Sequence, residues 1–258
     1  MRFLDMSPYH PFREMARTCD TRPLRDKRVC WVRPEPRLSR DGRFLARLLR
    51  REELHAAAEL WRAAYPELYG SVHDFLLFPE ECAARVALED AWEEDSEGKP
   101  CLMLVAAERR SGRLAAATLM TKMDRNLQIE FSFAATHPEF RRQGLMYLLG
   151  EMMHHLAEAS GAEYLTTFLE TWHTITQTSI LKYGGGWRVA GIFPGAFTRW
   201  AGGQREYRGC VVYLYKFIGD GERYATRPEE WHLHPKLRQL WQVLEEINRD
   251  AGETPDRR

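Results

Sequence analysis

Arg141, Arg142, Gln143 and Gly144, within the stretch HPEFRRQGLM (His137–Met146), stand between an alternating apolar run and a long amphipathic one. A helix that starts here offers free backbone N–H groups and the positive end of its dipole. A glycine beside that end lets an anion approach the main chain, and two arginines add positive charge. Such a set can cradle a diphosphate; the alternative is a solvated turn that happens to start a helix. Upstream, strand alternation places Glu130 on one face with Gln128 and Ser132, opposite Ile129, Phe131 and Phe133. A carboxylate on a polar face suits a base if that face borders a cleft, and is otherwise an ordinary exposed strand residue.

The elements around these residues are readable from periodicity. RFLARLLRR, from Arg43, predicts a strand, and EELHAAAELWRAAY a helix with Leu54, Ala57, Ala58, Leu60, Trp61 and Ala64 at helical spacing. Pro79, Glu80 and Glu81 have the composition of a second helix start. Three strands follow, Cys101–Arg109, Leu114–Met123 and Leu127–Thr136, and the short turns SGR and DRN imply an antiparallel meander. A helix over 143–159 ends before Gly161, so the next strand, Glu163–Glu170, is expected parallel to the one before the helix. A shorter helix, Thr174–Tyr183, precedes the last two strands, WRVAGIF and Cys210–Phe217, joined by the loop FPGAFTRWAGGQREYRG.

This order predicts an α/β (α+β) fold with a mixed, mostly antiparallel sheet flanked by helices. Residues 1–42 read as an N-terminal extension or surface cover, 43–218 as the domain, and 219–258 as a tail with one helix. The tail stripe Leu237, Leu240, Trp241, Leu244 and Ile247 is expected to pack on its own domain, with a homodimer contact as the alternative.

With 37 basic and 37 acidic residues, the overall charge gives no warrant for a nucleic-acid or membrane-surface partner. The five cysteines form no C-x-x-C pair, which argues against a disulfide framework or a structural zinc site and favours a reducing cytoplasm. No apolar run has the length of a membrane span, and the first residues lack a signal-peptide core.

The segment Arg141-Arg142-Gln143-Gly144-Leu145-Met146, with its lead-in Pro138-Glu139-Phe140, resembles motif A of the GCN5-related N-acetyltransferases (the GNAT superfamily). The resemblance covers roughly residues 43–218, and the element order matches that fold. Met146 replaces a residue that is usually small, which the fold accommodates if its side chain turns into the core. The same six residues are also similar to the motif of β-lysine N-acetyltransferases, and QTSILKYGG (Gln177–Gly185) resembles a diverged form of a helix those enzymes share.

The resemblance implies acetyl-CoA as acyl donor, no metal, and an N-acyltransferase acting on the primary amine of a small metabolite or amino acid. A peptide or protein acceptor is the alternative within the enzyme class. A silent acyl-CoA-binding regulator on the same fold is the alternative outside it. Arg141 to Met146 would then hold the diphosphate, and the main chain of Ala134, Ala135 and Thr136 the pantetheine and acyl carbonyl. Glu130, eleven residues before Arg141, has the spacing of the catalytic glutamate in the histone acetyltransferase branch. An alkyl ammonium with a pKa near ~10.4 needs such a base. Glu170 and His173 face the expected substrate end. Ile180 stands where a tyrosine acid often does, so Tyr183 is the nearest substitute, unless no acid is used.

Overall fold

A computed structural model describes residues 19–23, 27–183, 185–202 and 205–252, without the side chains of Tyr183, Asp250, Ala251 and Gly252. Among the described residues, nine strands form one sheet: β1 (Arg37–Leu38), β2 (Phe44–Leu48), β3 (Val86–Ala87), β4 (Cys101–Glu108), β5 (Leu114–Met123), β6 (Gln128–Thr136), β7 (Tyr164–Glu170), β8 (Arg188–Trp200) and β9 (Glu206–Phe217). Their order is 1-2-4-5-6-7-9-8, with β3 beside β4. Pairing is antiparallel except for β3–β4 and β6–β7. The parallel β6–β7 pair follows from the helix between them, which carries the chain back along the sheet.

The helices are α1 (Leu54–Ala64), α2 (Pro79–Arg85), α3 (Trp92–Asp95), α4 (Leu145–Ala159), α5 (Ile175–Tyr183) and α6 (Pro235–Gly252). α4 starts where Gly144 takes the left-handed φ of 72° and is followed by Gly161 at φ 78°, both backbone states that glycine adopts at low cost. Its apolar stripe, Leu145, Leu149, Met152 and Leu156, is buried on one face of the sheet against Met120, Ile129 and Leu165. α1 and α2 cover the opposite face, where Trp61, Leu76, Met103, Val105 and Leu119 form a second core. Each such side chain contributes about 1.5–3 kcal/mol when fully buried. Among the described residues, no helix is long and apolar enough to cross a membrane.

The periodicity did not predict the short β1, β3 and α3, and four further features differ from the sequence expectation. The first is a bulge in β6: Phe131 opposes Met120 and Phe133 opposes Leu119, so Ser132 is an extra residue. Phe131 and Phe133 therefore lie on opposite faces rather than sharing one. Phe131 packs on His154 and Trp187 at ring distances of 5.0 and 5.6 Å, while Phe133 packs on His73 and Tyr65 at 4.7 and 5.7 Å. The Ser132 hydroxyl pairs with Thr121 Oγ1 at 2.8 Å, which ties down the extra residue.

Second, most of Phe193–Gly209 is strand, not loop: β8 runs on to Trp200 and β9 starts at Glu206. The glycines and Pro194 occupy an irregularity between Phe193 and Phe197, beyond which pairing with β9 resumes. Third, the tail stripe divides. Trp241 and Leu244 pack on the core, whereas Leu237, Leu240 and Ile247 are exposed. Asn248 on α6 accepts from the Val189 N–H at 2.6 Å and donates to the Val189 carbonyl at 3.1 Å, covering part of the edge strand β8. Fourth, the N-terminal segment enters the core, since Val29 and Trp31 are buried and the Trp31 indole donates to the Lys99 carbonyl at 3.0 Å.

Candidate active site

β6 and β7 pair only from Gln128↔Tyr164 to Phe131↔Thr167. At that last pair the Thr167 hydroxyl donates to the Phe131 carbonyl at 2.8 Å, and beyond it the two strands diverge. β6 continues against β5 through Thr136, and β7 against β9 through Glu170, so each stays anchored on its outer side. The gap opens into a cleft of about 1310 Å³ that passes from the α4–α5 face of the sheet to the α1 face.

The ladder decides which main-chain groups face this gap. His137 donates its N–H to Ala115 on β5, and the Ala134 carbonyl accepts from the Tyr65 hydroxyl at 2.6 Å. By the two-residue alternation, the N–H and C=O of Ala134 and Thr136 point toward the gap, and those of Ala135 toward Ala117 on β5. The side chain of Ala135 is buried, so this residue belongs to the sheet, while Ala134 is exposed along the cleft. His137 closes the strand as a turn residue, its Nδ1 accepting from the Glu139 N–H at 3.3 Å.

The turn before α4 combines two left-handed residues, Arg142 at φ 65° and Gly144 at φ 72°. The carbonyl of Gly144 accepts from the N–H groups of Tyr147 and Leu148, which leaves those of Leu145 and Met146 without an acceptor inside the helix. A Cβ at Gly144 would meet no protein atom within 4 Å, so the space over this turn is open. Arg141 and Arg142 are exposed, and among the described residues neither is in an ion pair. Gln143 is different, because its side-chain oxygen accepts from Arg43 at 3.0 Å. Leu145 turns into the core, and Met146, expected there, lines the cleft instead. This concave run of N–H groups at a helix start fits an anion such as a diphosphate.

Glu130 lines the cleft half-buried, opposite Thr121 on β5 and Thr166 on β7. Burial raises its carboxyl pKa, and the Ser132 hydroxyl works against that shift. Among the described residues, no cation pairs with it. Glu170 contrasts with this, because it is bound to the buried Arg199 at 2.8 Å and its charge is neutralised. His173 lines the same wall with a buried Nδ1 that has no partner. Ile180 also lines the cleft, and the side chain of Tyr183 lies outside the described residues.

Local spacing did not single out four further cleft residues. Tyr65 and His73 come from the segment after α1, far from β6 in sequence, and only the packing of Phe133 brings them in. Burial pushes the Tyr65 hydroxyl up to about 12 and, with Arg199 and Arg85, lowers His73 to about 4. Thr118 is buried with an unpartnered hydroxyl on the cleft wall. His154 bonds the Gly150 carbonyl through Nδ1 at 2.8 Å. Because a carbonyl only accepts, Nδ1 carries the proton and the buried Nε2 presents a lone pair. Four unpartnered buried polar atoms, on His73, Thr118, His154 and His173, thus border one cleft. In a packed core such atoms are nearly always bonded, so here they are polar groups that face the cleft without a protein partner.

No protein-family profile matches the chain, and a sequence comparison with curated proteins finds no match. Solved structures do resemble it. The ribosomal-protein-S5-alanine acetyltransferase from Vibrio fischeri superposes with a TM-score of 0.53 at 10% identity, over 69% of this chain and 94% of that one. An N-acetyltransferase from Staphylococcus aureus Mu50 gives 0.49 at 14% identity, over 68% and 99%. The sheet order, the diverging parallel pair and the Vibrio superposition together establish that this chain has the fold of the GCN5-related N-acetyltransferases.

Proposed function

We propose that the protein is an N-acetyltransferase that takes acetyl-CoA as donor and acetylates the primary amine of a small molecule. One observation carries this reading: β6 and β7 part after Phe131 and Thr167, forming a cleft bordered both by Met146, in the first turn of α4 just past Gly144, and by Glu130. A thioester donor with a diphosphate and an amide-bearing arm matches what the cleft offers. The N–H groups of the turn from Gln143 to Met146 would hold the diphosphate, with Arg141 and Arg142 adding charge. The outward main-chain groups of Ala134 and Thr136 would bond the arm, as one more strand does at a free sheet edge. Bound acetyl-CoA supplies an acetyl group already activated as a thioester.

The chain's own chemistry is then proton handling and positioning. Glu130 receives the proton that the acceptor ammonium must lose before it can attack, and its raised pKa makes it a better proton acceptor. Ile180 has no proton to give, so the leaving thiolate departs unaided or takes a proton from a phenol. Tyr65, on the Ala134 carbonyl, is the described candidate, with Tyr183 as the one implied by resemblance. Glu170 acts through Arg199 to fix the wall, and His173 offers its open Nδ1 to the acceptor.

The test is acetyl-CoA consumption across a panel of amines, beside a thermal-shift titration with CoA. Binding with turnover supports the enzyme reading. Binding without turnover over a broad panel points to a silent acyl-CoA-binding protein, and no binding removes both.

A further inference from the structure

The half of the cleft on the α1 face, where the acceptor would enter, has a definite charge and wall chemistry. Three formally charged side chains border it: Glu130, Glu170 and Arg199. Arg199 and Glu170 cancel, being 2.8 Å apart with side-chain exposures of 6% and 18%, and the guanidinium also lies 5.0 Å over the Phe197 ring. His73 is neutral at physiological pH. Two further arginines lie near this region without lining the cleft. Arg208 donates to the Gly195 carbonyl at 2.7 Å, and Arg85 lies over Phe75 at 4.8 Å. Of the charged side chains that line this half, Glu130 is therefore the one without an ion-pair partner among the described residues.

The walls around it are rings. Tyr65 and Phe133 meet edge to face at 5.7 Å on the β6 side, and Phe168 and Phe197 do so at 5.1 Å on the β7 side. Aromatic faces and a lone carboxylate attract an ammonium and its apolar body. They give a carboxylate no cation to pair with, and set it against Glu130 in a partly desolvated space. A peptide chain would bury amide groups against rings with few partners, the open Nδ1 atoms of His73 and His173 being the exceptions.

We infer that the acceptor is an arylalkylamine or apolar alkylamine: a primary ammonium on an aromatic or apolar body, with no carboxylate beside the reactive nitrogen. This rests on the acetyl-transfer reading and narrows the wider class of small amines and amino acids.

The test separates the two. The full chain is saturated with CoA, so that no transfer occurs, and titrated calorimetrically with phenethylamine, phenylalanine and the peptide Phe-Gly-Gly amide. Phenethylamine is expected to bind at least about thirtyfold more tightly than phenylalanine, and more tightly than the peptide. Glu130→Gln should reduce the preference over phenylalanine to a few-fold. Equal or reversed affinities, including no binding of any probe, overturn the inference, as does full discrimination in Glu130→Gln. Acetyl-CoA consumption is followed with the same three probes. Turnover that favours phenylalanine or the peptide overturns the acceptor class alone. Absence of turnover with all three and with the broad amine panel overturns acetyl transfer, and the acceptor class with it.

Discussion

Glutamine in place of Glu130 keeps the shape of the cleft and removes its proton acceptor. Turnover should fall by roughly 10²–10⁴ with CoA affinity unchanged, as measured by steady-state rates and calorimetry. With Glu130 present, the rate should rise with pH as the carboxyl ionises, above the ordinary carboxylate range because burial raises its pKa. That limb should be missing from the Glu130→Gln profile. The same shift has a stability consequence of opposite sense. A carboxyl whose pKa is raised by folding disfavours the fold once ionised, in full above its folded pKa and not at all below its unfolded one. Glu130→Gln should therefore melt higher than the parent at pH 7, and the difference should vanish as pH falls through the carboxylate range. Arg199→Leu has the reverse character. It leaves Glu170 charged and largely buried, at a cost of about 3 kcal/mol that Glu170→Gln in the same chain should partly restore. Denaturant titration of the single and double variants reads this directly.

At the scale of elements, the turn into α4 and the bulge in β6 set the site. Gly144 and Gly112 have nearly the same left-handed φ, 72° and 73°, and a Cβ at either meets no protein atom within 4 Å. Alanine at each should cost a similar ~1–2 kcal/mol of backbone strain. Only at Gly144 should CoA affinity fall, and further for Gly144→Glu, whose charge repels a diphosphate. Equal CoA affinity in the Gly144 and Gly112 variants would move the anion site away from α4. The start of α4 was legible because glycine, basic residues and a 3.6-residue apolar stripe are local signals. The bulge at Ser132 was not, because whether a strand holds an extra residue depends on its partner's register. That single residue carries Phe133 to the α1 face, and with it the aromatic contacts that recruit Tyr65 and His73.

The whole molecule is closed by segments distant in sequence. Arg22 and Lys27 reach Glu163 at 2.6 and 3.1 Å, Arg223 reaches Asp20 at 2.6 Å, and Trp31 fills the core under β4 and β5. Through Val29 and Trp31, the described part of the stretch before β1 thus joins the core that α4 helps to form. Trp31→Ala should cost about 3–5 kcal/mol, measured by urea unfolding. A change below 1 kcal/mol would make the segment a loose cover.

The sequence by itself determined the order of the longer elements, though not the short β1, β3 and α3, together with the parallel crossover through α4 and the candidate anion turn, because each is written in period and spacing over a few residues. It also placed Glu130 on a strand leading to that turn. Only the tertiary structure decided that Ala135 belongs to the sheet while Ala134 and Thr136 face the gap, that Glu170 is neutralised by Arg199, and that Met146 lines the cleft while Leu145 is buried. These depend on which strand supplies the partner and which side of a turn meets the core, and such pairings join residues far apart along the chain.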